Sequence, residues 1–309
     1  MGMIIMAAST AVPQSDADAS SVALAAKAAQ DCLATAGLLP EAVGVLINTG
    51  VYRESNTFEP AMAALVQKEV GINLDYLAHP VPGGGFSFDL MNGACGVLNA
   101  VQVARALLET NSTKRVLVTA ADVHPGGRAG RDDAYPYADL GAAWLLAKGT
   151  EPDTGFGQVL LRGSDNCGAT TAGYLDISAA GPRGRHQITV QRDADWAEHL
   201  LDLTAATVTE YARTQDVDLN RTLVVCSRPT PDFAARLAQR LALDPEAVVA
   251  PDLPGGQSPH SGEPHTAAPV LGYLQAVEGG LAEAYGQMLF VAAGAGPSTA
   301  CVSYHPQGR

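Results

Sequence analysis

The chain has 309 residues, 47% hydrophobic and only 17% charged, which is enough apolar content for one large core or two fused smaller ones and excludes intrinsic disorder. A formal net charge of −13 excludes a surface built for phosphate-driven nucleic-acid binding. The five cysteines, Cys32, Cys95, Cys167, Cys226 and Cys301, are odd in number, widely spaced and without a CxxC pair, so neither a disulfide framework nor a metal site is expected.

In chain order, the apolar segment Met1 to Ala8 is too short for a signal peptide and has no basic flank, so it reads as a first strand over 4–8. Helical and strand-like periodicities then alternate: helix 21–36, strand 43–48, helix 60–70. Gly83-Gly84-Gly85 precedes a strand rather than a helix and is not a dinucleotide loop. The run Phe86 to Leu90 leads through Asn92-Gly93-Ala94 to Cys95 and a long helical pattern over 96–108. A buried strand over 115–120, a Gly/Pro/Asp-rich loop over 122–137 and a strand over 142–147 follow. From about Tyr174 the order begins again: strands 175–178 and 187–190, helix 194–213, strand 222–226, helix 231–241, helix 266–278, and closing strands 288–293 and 300–304. This is an α/β chain of duplicated topology, divided as 1–172 and 173–309. No stretch reaches the roughly 18 uninterrupted apolar residues of a membrane span, and a soluble cytoplasmic protein is expected.

Cys95 is the nucleophile candidate. A thiol at a helix start feels the partial positive charge of unpaired backbone N–H groups, which favours thiolate and pulls its pKa down. The same amides can hold an oxyanion. The alternative is a small buried apolar residue, the usual fate of a free cysteine.

Four segments carry a resemblance to a known family: Phe88-Asp89-Leu90-Met91-Asn92-Gly93-Ala94-Cys95-Gly96, Arg115 through Asp122, Asp139-Leu140-Gly141-Ala142-Ala143, and Phe290 through Gly296. In this order and spacing the chain resembles thiolase-fold condensing enzymes, most of all the ketoacyl-ACP synthase III group. The resemblance implies duplicated βαβαβαββ halves in a five-layered αβαβα arrangement, with the strand before the nucleophile at the centre of a homodimer interface. It also implies attack of Cys95 on an acyl-CoA or acyl-carrier-protein thioester, an oxyanion hole made by the N–H groups of Cys95 and Gly296, and no bound cofactor.

Two departures redirect the expected chemistry. Where the family places a histidine after its strand, this chain reads Ser227-Arg228-Pro229, and arginine cannot act as a base. Where the family has an asparagine on a later loop, the chain carries His260 and His265, and histidine can take a proton from an incoming alcohol or amine. His260 matches an acyltransferase-like spacing and His265 lies closer in an ungapped reading from the following helix; Glu263 or Asp252 is the acid available to orient either. His124 and Arg228 are candidates for a substrate channel. Arg183, Arg185, His186 and Arg192 form the clearest local basic cluster, a candidate dock for a CoA phosphate or an acidic carrier. The reading reached is an acyltransferase working through an acyl-enzyme on Cys95, in polyketide-type or fatty-acid metabolism. The alternatives are carbon–carbon bond formation of the synthase III type and a catalytically silent partner subunit of a condensing-enzyme heterodimer.

Overall fold

The structure, a computed structural model, describes residues 2–15, 19–57, 59–72, 77, 85–130, 135–164, 171–174, 181–253, 262–294 and 296–307. In chain order its elements are β1 (Met3–Ala11), α1 (Ser21–Thr35), β2 (Val45–Asn48), α2 (Met62–Val70), β3 (Phe86–Asp89), α3 (Gly96–Glu109), β4 (Arg115–Asp122), the single turn α4 (Gly127–Gly130) and β5 (Leu140–Lys148). Then come β6 (Gly155–Phe156), β7 (Leu160–Gly163), β8 (Thr171–Tyr174), β9 (Thr189–Arg192), α5 (Trp196–Gln215), β10 (Leu223–Cys226), α6 (Phe233–Leu241), β11 (Val248–Val249), α7 (Ala268–Glu278), α8 (Leu281–Tyr285), β12 (Met288–Gly294) and β13 (Ser298–His305).

The first sheet runs β1-β5-β4-β2-β3 and the second runs β6-β13-β12-β10-β11, with β7 also paired to β13. In both, three parallel strands (β4, β2, β3; β12, β10, β11) continue into antiparallel ones, so the two sheets repeat one another strand for strand. Side-chain alternation along these strands feeds three apolar cores. The outer face of the first sheet packs on α1 and α2, and the outer face of the second packs on α5 and α6. Between the sheets lie α3 and α7 with Trp144, Phe156, Phe290 and Tyr304. This is the five-layered αβαβα arrangement of duplicated halves. No helix among the described residues is long and apolar enough to cross a membrane.

Both β6 and β7 belong to the second sheet, so that sheet begins at Gly155. Leu160–Gly163 is a largely exposed edge segment with Arg162 turned outward, and it lacks the apolar run that marks an inner strand. Expected strand 175–178 lies outside the described residues.

A polar side chain fixes the start of α2. Asp89, the last residue of β3, accepts hydrogen bonds from the Met62 and Ala63 amides at 2.9 and 2.8 Å, and from the Asn48 side chain at 2.9 Å. Its carboxylate thus satisfies the first free N–H groups of α2 and ties that helix to the strand leading to Cys95.

Candidate active site

Cys95 closes a 3-10 turn, Gly93–Cys95, that runs straight into α3. Gly93 takes a φ of +48°, a conformation glycine enters at little steric cost, and lets the chain fold sharply from β3 into the helix. The Cys95 amide donates to Asn92 O at 3.0 Å. Its sulfur lies 3.6 Å from both Ala292 O on β12 and Ser298 Oγ on β13, at the seam between the two halves.

The thiol is not shifted towards thiolate as its helix-start position predicts. Cys95 is fully buried within the central core, and desolvation raises its pKa to about 11 despite hydrogen bonds to Ser298 and the Ala300 backbone that pull the other way. Burial outweighs the helix terminus in this resting arrangement. Gly296, expected to supply the second oxyanion donor, sits in the β12–β13 turn at φ +66° with open space where a Cβ would stand.

His265 begins the 3-10 turn His265–Ala267 that leads into α7, and this turn packs against both β4 and the Cys95 turn. Its φ of +45° is left-handed, a strained conformation for a bulky residue. What holds it there is Asp122. His265 Nδ1 lies 2.9 Å from Asp122 Oδ2, the Thr266 hydroxyl donates to the same oxygen at 2.5 Å, and the Val51 and Tyr52 amides donate to Oδ1 at 2.9 and 2.8 Å. The imidazole packs at a tilt against Tyr137, ring centroids 4.1 Å apart, and is flanked by Tyr52 at 5.6 Å. Burial lowers the pKa of His265, but the Asp122 charge and hydrogen bond outweigh it and the net shift is upward. Burial likewise raises that of Asp122, and His265, Thr266 and the backbone donors overcome it, so the net shift is downward. Each partner favours the charged form of the other.

The acid paired with His265 is therefore neither Glu263 nor Asp252. Glu263, 6% exposed, is bound to Arg192 at 2.8 Å, and Asp252 to Arg228 at 2.6 Å. Asp122 lay within a segment that carried the family resemblance, yet a carboxylate ending an otherwise apolar strand was the one signal for it, and its partner is 143 residues away. His260 lies outside the described residues, as do His79 and Cys167. His124 does not line a channel: it is 2% exposed, its Nδ1 accepts from the Gly126 amide at 3.0 Å, and its own amide donates to Asp139 at 3.1 Å, which fixes the turn after β4.

Arg228 does border open space. A cavity of about 630 Å³ is lined by Arg228, Arg192, Glu263, Pro136 and the Pro229–Pro231 segment, and Glu263 stands two residues before His265 along the chain. The expected basic cluster is divided: Arg192 turns inward to Glu263 and stacks 4.2 Å from the Trp196 ring, while Arg185 and His186 stay exposed. Ser227, at the place of the family histidine, is buried and its Oγ accepts from the Ala293 amide at 3.1 Å.

No family model matches the chain, and no curated protein matches it by sequence. Solved structures do. The chain is similar to 3-oxoacyl-(acyl carrier protein) synthase III, FabH, from Pseudomonas aeruginosa PAO1, with a TM-score of 0.77 and 17% identity over 99% of each chain. It is similar to the priming β-ketosynthase of the R1128 polyketide biosynthetic pathway, with a TM-score of 0.75 and 14% identity over 99% of this chain and 96% of that one. OleA from Xanthomonas campestris, solved with bound lauric acid and lauroyl-CoA, gives a TM-score of 0.76 and 14% identity over 99% of each chain. At these identities the likeness establishes the architecture.

Proposed function

From a thiolase fold shared with condensing enzymes, we propose that this chain is an acyltransferase that carries an acyl group on Cys95 and releases it to a nucleophile with His265 as base. The observation that carries this reading is the buried Asp122–His265 pair, which meets the nucleophile turn where the two halves join. In the first half-reaction the Cys95 sulfur attacks a thioester carbonyl, the C–S bond to the donor breaks, and the Cys95 proton leaves on the departing thiol. In the second, an alcohol, amine or water attacks the acyl-enzyme. Neutral His265 takes the proton of the attacking group and returns it to the Cys95 sulfur as that bond breaks. Asp122 keeps the ring in the tautomer that presents Nε2 to the reaction. The Cys95 and Gly296 amides are the proposed oxyanion donors; the first must be shared with Asn92 O.

The donor is an acyl-CoA or an acyl-carrier protein, entering through the cavity bordered by Arg228 and Arg192. OleA was solved with lauroyl-CoA, which makes a long-chain CoA thioester the first donor to try. Ser227 offers no imidazole to polarise a malonyl thioester, which favours transfer over decarboxylating condensation. We place the enzyme in polyketide-type or fatty-acid metabolism in the cytoplasm, as a homodimer formed along β3. That strand is the open edge of the first sheet and leaves Phe86 49% exposed.

A silent partner subunit is the second reading, favoured by the sealed sulfur and its raised pKa. Intact-mass analysis after incubation with a panel of acyl-CoAs separates the two: an acyl adduct lost in Cys95→Ala supports transfer, and no adduct with any donor supports the silent subunit. Carbon dioxide release from a malonyl thioester, coupled to a β-keto product, would reject both in favour of condensation. His265→Gln should still form the adduct but retain it, while His260→Gln should turn it over.

A further inference from the structure

At the other end of β4 from Asp122, about 23 Å away at the rise of a strand, lies a second cavity of about 480 Å³. Lys114, Arg115 and Lys148 line it, and no acidic residue does among the described residues, although the chain carries 32 acids against 19 bases. The ladder pairs Arg115 with Ala147, so its continuation sets Lys114 against Lys148. Like charges facing one another across a ladder repel, and no residue lining the cavity carries the opposite charge. Among the described residues Lys148 Nζ donates only to neutral Asn111 Oδ1, at 2.7 Å. The Arg115 guanidinium reaches one carbonyl, Ala42 O, at 3.5 Å, and its buried Nε has no hydrogen-bond partner among the described residues. Buried guanidinium donors are ordinarily satisfied. The other wall of the cavity is apolar, formed by Ile4, Met6 and Ala147, with Met6 39% exposed.

We infer that this cavity is a binding site for a small phosphate monoester with an apolar body, separate from the acyl-transfer site. A phosphate monoester near neutral pH carries close to two negative charges and three acceptor oxygens, which matches three cations lacking acids and a guanidinium edge lacking an acceptor. The apolar wall takes the ester's organic part. The inference does not depend on the reaction proposed at Cys95.

Calorimetry on the full chain at low ionic strength tests it, with n-butyl phosphate and inorganic phosphate as probes. The butyl ester should bind one to one and more tightly than inorganic phosphate. The double variant Lys114→Gln with Lys148→Gln should weaken it about tenfold or more, a change of about 1.4 kcal/mol or more. Arg228→Gln, in the other cavity, should leave the affinity unchanged. Thermal melting guards against misfolding: without phosphate the double variant should melt no lower than the parent, and the rise in Tm that butyl phosphate gives the parent should vanish. Undiminished affinity in the double variant, or loss of binding in Arg228→Gln, overturns the assignment.

Discussion

Asp122 is the side chain that ties the candidate site together. Its carboxylate collects donors from the loop after β2 and from the His265–Ala267 turn, and so ties two segments to the end of β4. Asp122→Asn removes the charge that keeps the His265 pKa high while leaving the burial that lowers it. The imidazole should then titrate below its ordinary value of about 6.5, read by NMR of the ring protons. The second half-reaction, which needs neutral His265, should correspondingly reach its plateau at lower pH than in the parent. Stability follows with opposite limits for the two partners. His265, raised in the folded state, contributes fully below its unfolded pKa of about 6.5 and loses this as pH rises through the folded value. Asp122, lowered in the folded state, contributes above its unfolded pKa of about 3.9 and loses this as pH falls through the folded value. The denaturation midpoints of parent and Asp122→Asn should differ most between those two unfolded values, by about 3 kcal/mol in free energy, and converge on the alkaline side.

At the scale of elements, close approach of backbone to backbone decides what each position tolerates. A Cβ at Gly141 would stand 2.5 Å from Leu24 O, so Gly141→Ala must lift α1 off the first sheet; chemical denaturation should register a loss of about 1–3 kcal/mol. A Cβ at Gly294 would meet only the Ala94 methyl, at 2.9 Å. Gly294→Ala should therefore keep the fold but displace the nucleophile turn, lowering the rate of adduct formation more than it lowers the melting temperature. The inner elements were legible beforehand because periodicity records burial: α3, β4, β5, β12 and β13 all lie where their apolar patterns put them, within a few residues. β6 and β7 were not, since short edge strands with outward-facing Arg162 carry no such pattern. His265 was legible as a candidate from its place before α7. Its true partner was not, because an ion pair joining two halves of the chain leaves no local trace, and the acids nearest in sequence are taken by Arg192 and Arg228. The depressed thiol pKa failed for a related reason: a helix start is visible in sequence, whereas the strands that close over the sulfur come from the far end of the chain.

For the whole molecule, the Cys95 turn of one half and the His265 turn of the other meet at the same seam, and β3 stands at the edge of the first sheet among the described residues. Phe86→Lys should turn the expected dimer into a monomer by light scattering and weaken acyl transfer with it, because β3 leads directly into the nucleophile turn. The sealing of Cys95 beneath β12 and β13 has a practical corollary. A protonated sulfur shut inside the protein is a poor target for passing electrophiles, so iodoacetamide and peroxide near neutral pH should leave it largely untouched while small thiols in solution are consumed. Covalent inhibitors would then have to gain entry as counterfeit donors, opening the seam by their fit before any warhead chemistry begins.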